Sequence, residues 1–539
     1  MNIKTLKFIT VQTTRIKKLF LFIGRQIGYI YIFLFDRNYK RLILYCTTNR
    51  IVNKNNRSYF IFDNFQVWEI LLFRFQFFIN FCKLYSCNIG VFNLKRDFLF
   101  KKIYSSMGVT KNFNFNNLTA RESLEIDVLF KNSFYKICSK DDLFKLKLLG
   151  INIGIDIYES YLIRFHQPTL DINDPRFKKL FIESLKILIY WKNILNNYDI
   201  KGVYVSHRSY IETNILAKLS YNKKIPVFTN NGAHTKFAKH ENEELDNTKY
   251  YKSVFSELTQ EEKTHGIKIS KERLRLKFEG KIGVDMSYSE KTAFHNIIKS
   301  ERILKSSKKI KVLICTHCFY DNPQAYGGLL FLDFYEWLLH LSKISFKTDY
   351  DWYIKPHPDY LPGTLEILKT ITKKFNNIKL INPDTSFFQL AKEGLDFALT
   401  CHGTIAQELP LLGINVINAD TNNPHCAFNF SYTPKSLNDY ENTLLNLGNF
   451  ISLLNNKEQI YEFYYMSNFY LQDKNLFFKN YDDYLFYKEK NSTSFTNFFL
   501  KNFMPNKEQF DKKIEYFLKY KKKYTLPDKK LEIIMNYES

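Results

Sequence analysis

Two short stretches of the chain carry residue types that bind anions and hydroxyl groups. The first is Lys355-Pro356-His357-Pro358. Pro358 removes a backbone donor and ends an extended run. It also holds His357 in extended geometry. An imidazole at such an exit can donate to a phosphate oxygen, and protonation adds charge. Lys355 lies two residues earlier, on the same strand face. The second stretch is Thr400-Cys401-His402-Gly403-Thr404, followed by Glu408. Gly403 allows close backbone approach to a ligand, and Thr404 is a good N-cap. The free N–H groups of a helix start favour an anion. Glu408 falls four residues beyond Thr404, on the same helical face, where a carboxylate can accept from two ribose hydroxyls. Pro410 predicts that this helix is short or kinked. Taken singly, the first stretch reads equally well as a turn with a surface histidine. The second also fits an ordinary β-α-β turn.

Both stretches need a sheet to position them. Apolar strand-like runs fall at 311–315, 352–355, 378–381, 397–400 and 415–418, with helical patterns at 329–342, 365–374, 386–392 and 405–412. This alternation predicts a doubly wound α/β fold. Residues leaving parallel strands at their carboxyl ends converge on one crevice, where ligands bind, so the two stretches form one site for an anionic, hydroxyl-rich ligand. Upstream, a helix over 178–196, a strand over 202–205, a helix over 212–221 and a strand over 225–229 make a second β-α-β unit. The expected organisation is an N-terminal α/β domain over 1–300, a C-terminal donor domain over 308–450 and a helical, aromatic and basic extension over 451–539. Residues 1–150 are rich in Phe, Tyr and Lys with weak periodicity. Residues 241–310 are charged and helix-rich, with a polar, basic stretch over 305–311, and an interdomain connection is expected there.

A basic residue-Pro-His-Pro motif, then a strand, then Gly403-Thr404 with Glu408 and Gly413 before a further strand, resembles the donor domain of GT-B glycosyltransferases. In particular it resembles the bacterial capsule polysaccharide biosynthesis proteins, including the Kdo-transferase-like ones. His317-Cys318-Phe319-Tyr320-Asp321, Gly327-Gly328 and the 331–337 stretch look like the same group. The resemblance spans about 200–440. It implies that His357, His402, Gly403 and Thr404 face the nucleotide phosphate and Glu408 the ribose. Cys401-His402 stands where small or hydroxyl residues are expected. Similar His-Pro motifs in sialyl- and polyol-phosphate transferases tilt the expected donor toward a cytidine nucleotide over UDP. The implied fold is GT-B-like, two Rossmann-like domains facing a cleft. The implied activity is transfer of a sugar from a CMP- or UDP-linked donor to a surface polysaccharide or lipid-linked glycan.

An inverting transfer needs one group to take the acceptor's proton. His207, after the strand at 202–205, and Glu212 are candidates from the first domain, with Asp321 from the second. Arg208 could pair with a donor carboxylate or phosphate. Asn230-Asn231-Gly232 follows the next strand. Asp349-Tyr350-Asp351 has the D-x-D form of metal-dependent transferases, but it precedes the strand that His357 follows. About five residues at roughly 3.3 Å put it ~16 Å away, at the wrong end of the sheet. No obligatory metal and no cofactor beyond the nucleotide-sugar are expected.

The chain has 539 residues, 45% of them hydrophobic, and a formal net charge of +24. It can therefore bury sizeable cores, and it favours anionic partners. Abundant Lys, Asn, Ile, Phe and Tyr also fit AT-rich coding, so nucleic acid is not the expected partner. The 8 cysteines include Cys315-x-x-Cys318 without a second pair at zinc-site spacing. They read as buried thiols in a reducing cytoplasm. Residues 19–35 are apolar but interrupted by Arg25 and Gln26, short of the ~20 residues of a membrane span. They read as buried structure or as a basic surface at the inner face of the cytoplasmic membrane. Two rival functions remain: transfer of a polyol phosphate from CDP-glycerol, and a non-catalytic scaffold that binds polyanions or membrane.

Overall fold

The computed structural model describes residues 24, 35, 37–52, 57–63, 68–92, 98–113, 118–231, 234–238, 248–285, 289–297, 300–450, 456–470 and 507–520. It contains two large sheets. The N-terminal sheet is built from β1 (Ser58–Asp63), β2 (Asn88–Phe92), β3 (Val109–Phe113), β6 (Asp199–Val205), β7 (Val227–Asn231) and β8 (His234–Ala238), in the order 3-2-1-6-7-8. All its pairings are parallel except β7 with β8. A small antiparallel pair, β4 (Lys147–Leu148) and β5 (Ile151–Asn152), lies outside it. The C-terminal sheet comprises β9 (Lys311–Cys315), β10 (Asp351–Lys355), β11 (Ile378–Leu380), β12 (Phe397–Thr400) and β13 (Asn415–Asn418) in the order 11-10-9-12-13, all parallel. Each sheet starts in its middle, grows to one edge, then crosses back and grows to the other. That is doubly wound, Rossmann-like connectivity, and each sheet has a switch point beside its first strand.

The strands of the C-terminal sheet were legible because both faces are covered, so they run as continuous apolar segments. Every residue of β9, β10 and β12 is buried. Alternate side chains enter opposite cores. Val312, Ile314, Trp352 and Leu399 join Trp337 and Leu341 on one side, while Leu313, Tyr353 and Ala398 join Leu390 and Ala406 on the other. The N-terminal sheet repeats the arrangement. Phe60, Phe62 and Tyr204 pack with Phe77, Phe78 and Phe81, whereas Ile61, Val203 and Val205 pack with Leu188 and Trp191. Three of its strands lie within the opaque first 150 residues.

Several boundaries differ from expectation. The helix anticipated over 329–342 spans Phe334–Ile344, because Asp333 caps it through Glu336 N–H (2.7 Å) and Leu330 N–H is drawn to Ala419 O (3.0 Å). The helix at 212–221 splits into a π turn, Tyr210–Asn214, and an α-helix, Ile215–Asn222. Asn230 and Asn231 belong to β7, and Gly232 lies outside the described residues. So do nearly all of residues 19–35 and all of 521–524. The segment 241–310 carries helix, as expected. Its helix Gln260–Phe278, started by a Thr259–Glu262 capping box, packs on the helix Lys457–Tyr465. Gly266 lies so close that a Cβ there would sit 2.7 Å from the Tyr465 ring. The C-terminal helix Lys507–Tyr520 returns to the first sheet: Ile514 and Leu518 enter its Phe-rich core, and Asn80 donates to Asp511 (2.8 Å). Two Rossmann-like sheets with a helical C-terminal extension form the GT-B-like architecture.

Candidate functional site

The switch point of the C-terminal sheet lies between β9 and β12, and their exits are tied together by His317. Its Nε2 lies 2.9 Å from Thr400 Oγ1 and accepts from Cys401 N–H at 3.1 Å. Thr400 Oγ1 itself accepts from Gly403 N–H (3.2 Å). The hydroxyl proton therefore goes to His317, whose proton sits on Nδ1. Burial holds the His317 pKa well below the usual value, reinforced by the nearby His402 and His357, so the ring is neutral. It stacks on Phe334 with centroids 4.6 Å apart. Gly403 is required here: a Cβ would fall 2.7 Å from Thr400 Oγ1 and 3.4 Å from the His317 ring.

His402 lies beside this chain, its ring 4.9 Å from His317 and 5.0 Å from Tyr326. Its Nδ1 is 3.4 Å from Asp420 Oδ2, and neither atom makes a hydrogen bond. Thr404 occupies the helix start as expected, but its side chain makes no cap and its backbone is already helical. The helix runs only from Ile405 to Glu408 before a 3-10 turn, Leu409–Leu412, containing Pro410. So short a segment develops little dipole, and the anion-favouring helix start is not formed. The bend at Pro410 is the expected one.

Glu408 is 2% exposed and is already paired. Lys277 Nζ donates to its Oε1 (2.6 Å) and to Asp285 Oδ2 (2.7 Å), and Tyr464 donates to Asp285. Burial opposes the Lys277 charge, but Glu408 and Asp285 outweigh it and raise the pKa. His357 stands exposed past β10, with Asp359 N–H donating to its Nδ1 (3.1 Å), so Nε2 carries the proton. Protein packed around it still desolvates it enough to lower its pKa, and Glu408 and Lys277 are near enough to feel its charge. Lys355 behaves differently from expectation. It is 2% exposed, donates to Pro383 O (2.7 Å) and lies 5.0 Å over the Phe387 ring. Burial pulls its pKa down to about 8.

The carboxyl ends of the N-terminal strands face the same crevice. Ser209, after β6, accepts from Asn322 Nδ2, which belongs to the loop after β9. Glu159 accepts from Gln324 N–H (3.0 Å), Tyr158 donates to Asp333, and His166 lies 5.3 Å from Tyr320. His207 is exposed at this edge, its Nδ1 2.9 Å from Ser206 Oγ, and Ser206 donates to Asp63 at the end of β1. Asp321 is exposed on the opposite wall. Glu212 is not a free base: Arg164 binds it while also holding Glu183 at 2.7 Å. Arg208 lies 4.9 Å over the Tyr221 ring. Asp349 and Asp351 sit at the amino end of β10, held by Lys309 and Ser307, away from His357.

The crevice also holds residues that sequence reasoning did not single out. Glu159 is buried, and burial pushes its pKa up to about 8. The available signal was Asp156 and Glu159 on the buried face of an otherwise apolar helix, Gly154–Phe165. For Lys277, Asp63 and Asp420 no local signal existed.

No protein-family model matches the chain, and no curated protein matches it. Among solved structures it is similar to a UDP-GlcNAc 2-epimerase from Neisseria meningitidis bound to UDP-GlcNAc, at 11% identity, 76% coverage of this chain, 96% of that chain and a TM-score of 0.23. It is also similar to a glycosyltransferase from Rickettsia africae ESF-5 (10%, 77%, 94%, 0.23) and to MurG from Acinetobacter baumannii (9%, 76%, 94%, 0.18). At such scores these likenesses add nothing to what strand order establishes.

Proposed function

We propose that the protein is a GT-B glycosyltransferase that moves a sugar from a nucleotide-linked donor to a hydroxyl of a growing surface glycan. One observation carries this reading. The switch points of two Rossmann-like sheets open onto one crevice, bridged by Ser209 and Asn322. In open α/β sheets ligands bind at such points. The nucleotide would lie against the C-terminal sheet, with His357, His402 and the Gly403 turn toward phosphate. The His357 Nε2–H is a ready donor to a phosphate oxygen. The acceptor would enter from the side of β1 and β6, where His207 and, across the crevice, Asp321 are the candidate bases. Catalysis would rest on positioning, stabilisation of the leaving phosphate and one proton transfer, without an obligatory metal. The net charge of +24 suits a lipid-linked or otherwise anionic acceptor at the inner membrane face. Among the described residues no helix is long and apolar enough to cross a membrane.

Incubation with radiolabelled CMP-Kdo, CDP-glycerol and UDP-sugars tests the reading. Label released from a CMP- or UDP-sugar supports it. Consumption of CDP-glycerol alone makes the protein a polyol-phosphate transferase. Salt-sensitive polyanion binding with no donor consumed makes it a scaffold.

A further inference from the structure

We infer that Asp63 and Ser206 form a two-residue relay that fixes the tautomer of His207 and makes it the general base. The inference rests on the glycosyl-transfer reading above. The relay sits at the switch point of the N-terminal sheet. Phe62 of β1 stands beside Tyr204 of β6, so Asp63 and Ser206 leave adjacent parallel strands within one residue of each other. Asp63 is 7% exposed, Ser206 half-buried and His207 exposed.

The direction of the relay follows from hydrogen counting. An ionised carboxylate only accepts, and a hydroxyl has one proton. Ser206 donates that proton to Asp63. Toward His207 Nδ1, 2.9 Å away, the same oxygen can then only accept. His207 therefore carries its proton on Nδ1, and Nε2 presents a lone pair at the exposed tip of the ring. This order differs from a hydrolase triad, in which histidine lies between carboxylate and serine and takes the serine proton. Here Ser206 lies in the middle with its proton held by Asp63, so it is a positioning residue and not a nucleophile.

In the transfer step the acceptor oxygen bonds to the donor's anomeric carbon. The bond from that carbon to the phosphate oxygen breaks, the nucleotide leaves with the electron pair, and the hydroxyl proton passes to His207 Nε2. The imidazolium then holds its Nδ1–H toward Ser206, backed by the Asp63 carboxylate.

The test uses the full chain with 15N-labelled histidine. Nitrogen-detected correlation spectra give each ring's tautomer, and His207→Gln assigns the signal. The relay predicts Nδ1–H for His207 in the wild type and a change of tautomer in Ser206→Ala. A wild-type Nε2–H ring, or no change in Ser206→Ala, overturns it. The kinetic arm uses whichever CMP-, CDP- or UDP-linked donor the wild type consumes. His207→Gln should lower kcat about 100-fold and Asp63→Asn about 10-fold, with donor KM within about twofold. An equal loss through KM, or an unchanged kcat in folded Asp63→Asn, also overturns the relay. If the wild type consumes no donor, the glycosyl-transfer reading fails and the base role falls with it, whatever the tautomer.

Discussion

Replacing Lys355 with methionine should make the protein more stable. Lys355 is 2% exposed, with a carbonyl and an aromatic ring as its recorded partners. Burial lowers its pKa from 10.5 to about 8. At about 1.36 kcal/mol per pH unit, keeping the ammonium charged at neutral pH costs about 3 kcal/mol. Methionine fills a similar volume without charge, at the loss of one hydrogen bond worth about 1 kcal/mol. The expected net gain at pH 7 is about 1–3 kcal/mol, within the range seen when buried charges are replaced by apolar groups. The sign of the pH dependence follows from proton counting. Between about pH 8 and 10.5 the unfolded lysine is protonated and the folded one is not, so wild-type stability from this residue rises with pH. The advantage of the variant should be full below pH 8 and shrink steadily toward pH 10.5. Urea unfolding of both proteins at pH 7, 8, 9 and 10 measures it, and comparing them cancels the other titrating groups. A variant less stable than wild type at pH 7, or a difference that does not change with pH, would refute the reasoning.

Three further outcomes follow from the same contacts. Lys277→Met leaves Glu408 and Asp285 buried without their cation and should cost about 3–5 kcal/mol in urea unfolding. The double variant with Glu408→Gln should recover part of that loss, and strict additivity would show that the pair is not coupled. Gly403→Ala forces the Thr400 hydroxyl away from His317 and should cost about 1–3 kcal/mol, read as a lower Tm together with a weakened nucleotide response. Gly266→Ala drives a methyl into the Tyr465 ring and should destabilise by a similar amount, but leave the nucleotide response intact.

The C-terminal sheet was readable because its covered strands appear as apolar runs between turn residues, as in Lys311–Cys315 and Phe397–Thr400. The first 150 residues resisted because burial there removes the pattern. The helix Trp68–Leu84 buries the polar Arg74, Gln76 and Asn80 alongside Phe75, Phe77, Phe78 and Phe81 in the core, so no 3.6 period survives. The site was half legible. His357 and Gly403 announced themselves by neighbouring proline and turn chemistry. Lys277 sits 131 residues from Glu408 and looked like one charge among many on a solvated helix. Asp63 and Ser206 meet across 143 residues, a pairing only strand register creates. The exposed-looking lysine of Lys355-Pro356-His357 turned inward because every residue of its strand is covered.

The most direct test of the central claim is the melting temperature of the wild type and of His357→Ala with CMP, CDP and UDP. The exposed ring of His357 can be removed without loss of packing, so the two proteins should melt together without nucleotide. At 100 times its Kd, one of the three nucleotides should stabilise the wild type by about 2.7 kcal/mol and raise its Tm by several degrees, with most of that gain lost in His357→Ala. No shift with any of the three nucleotides, or an equal shift in His357→Ala, would contradict the account.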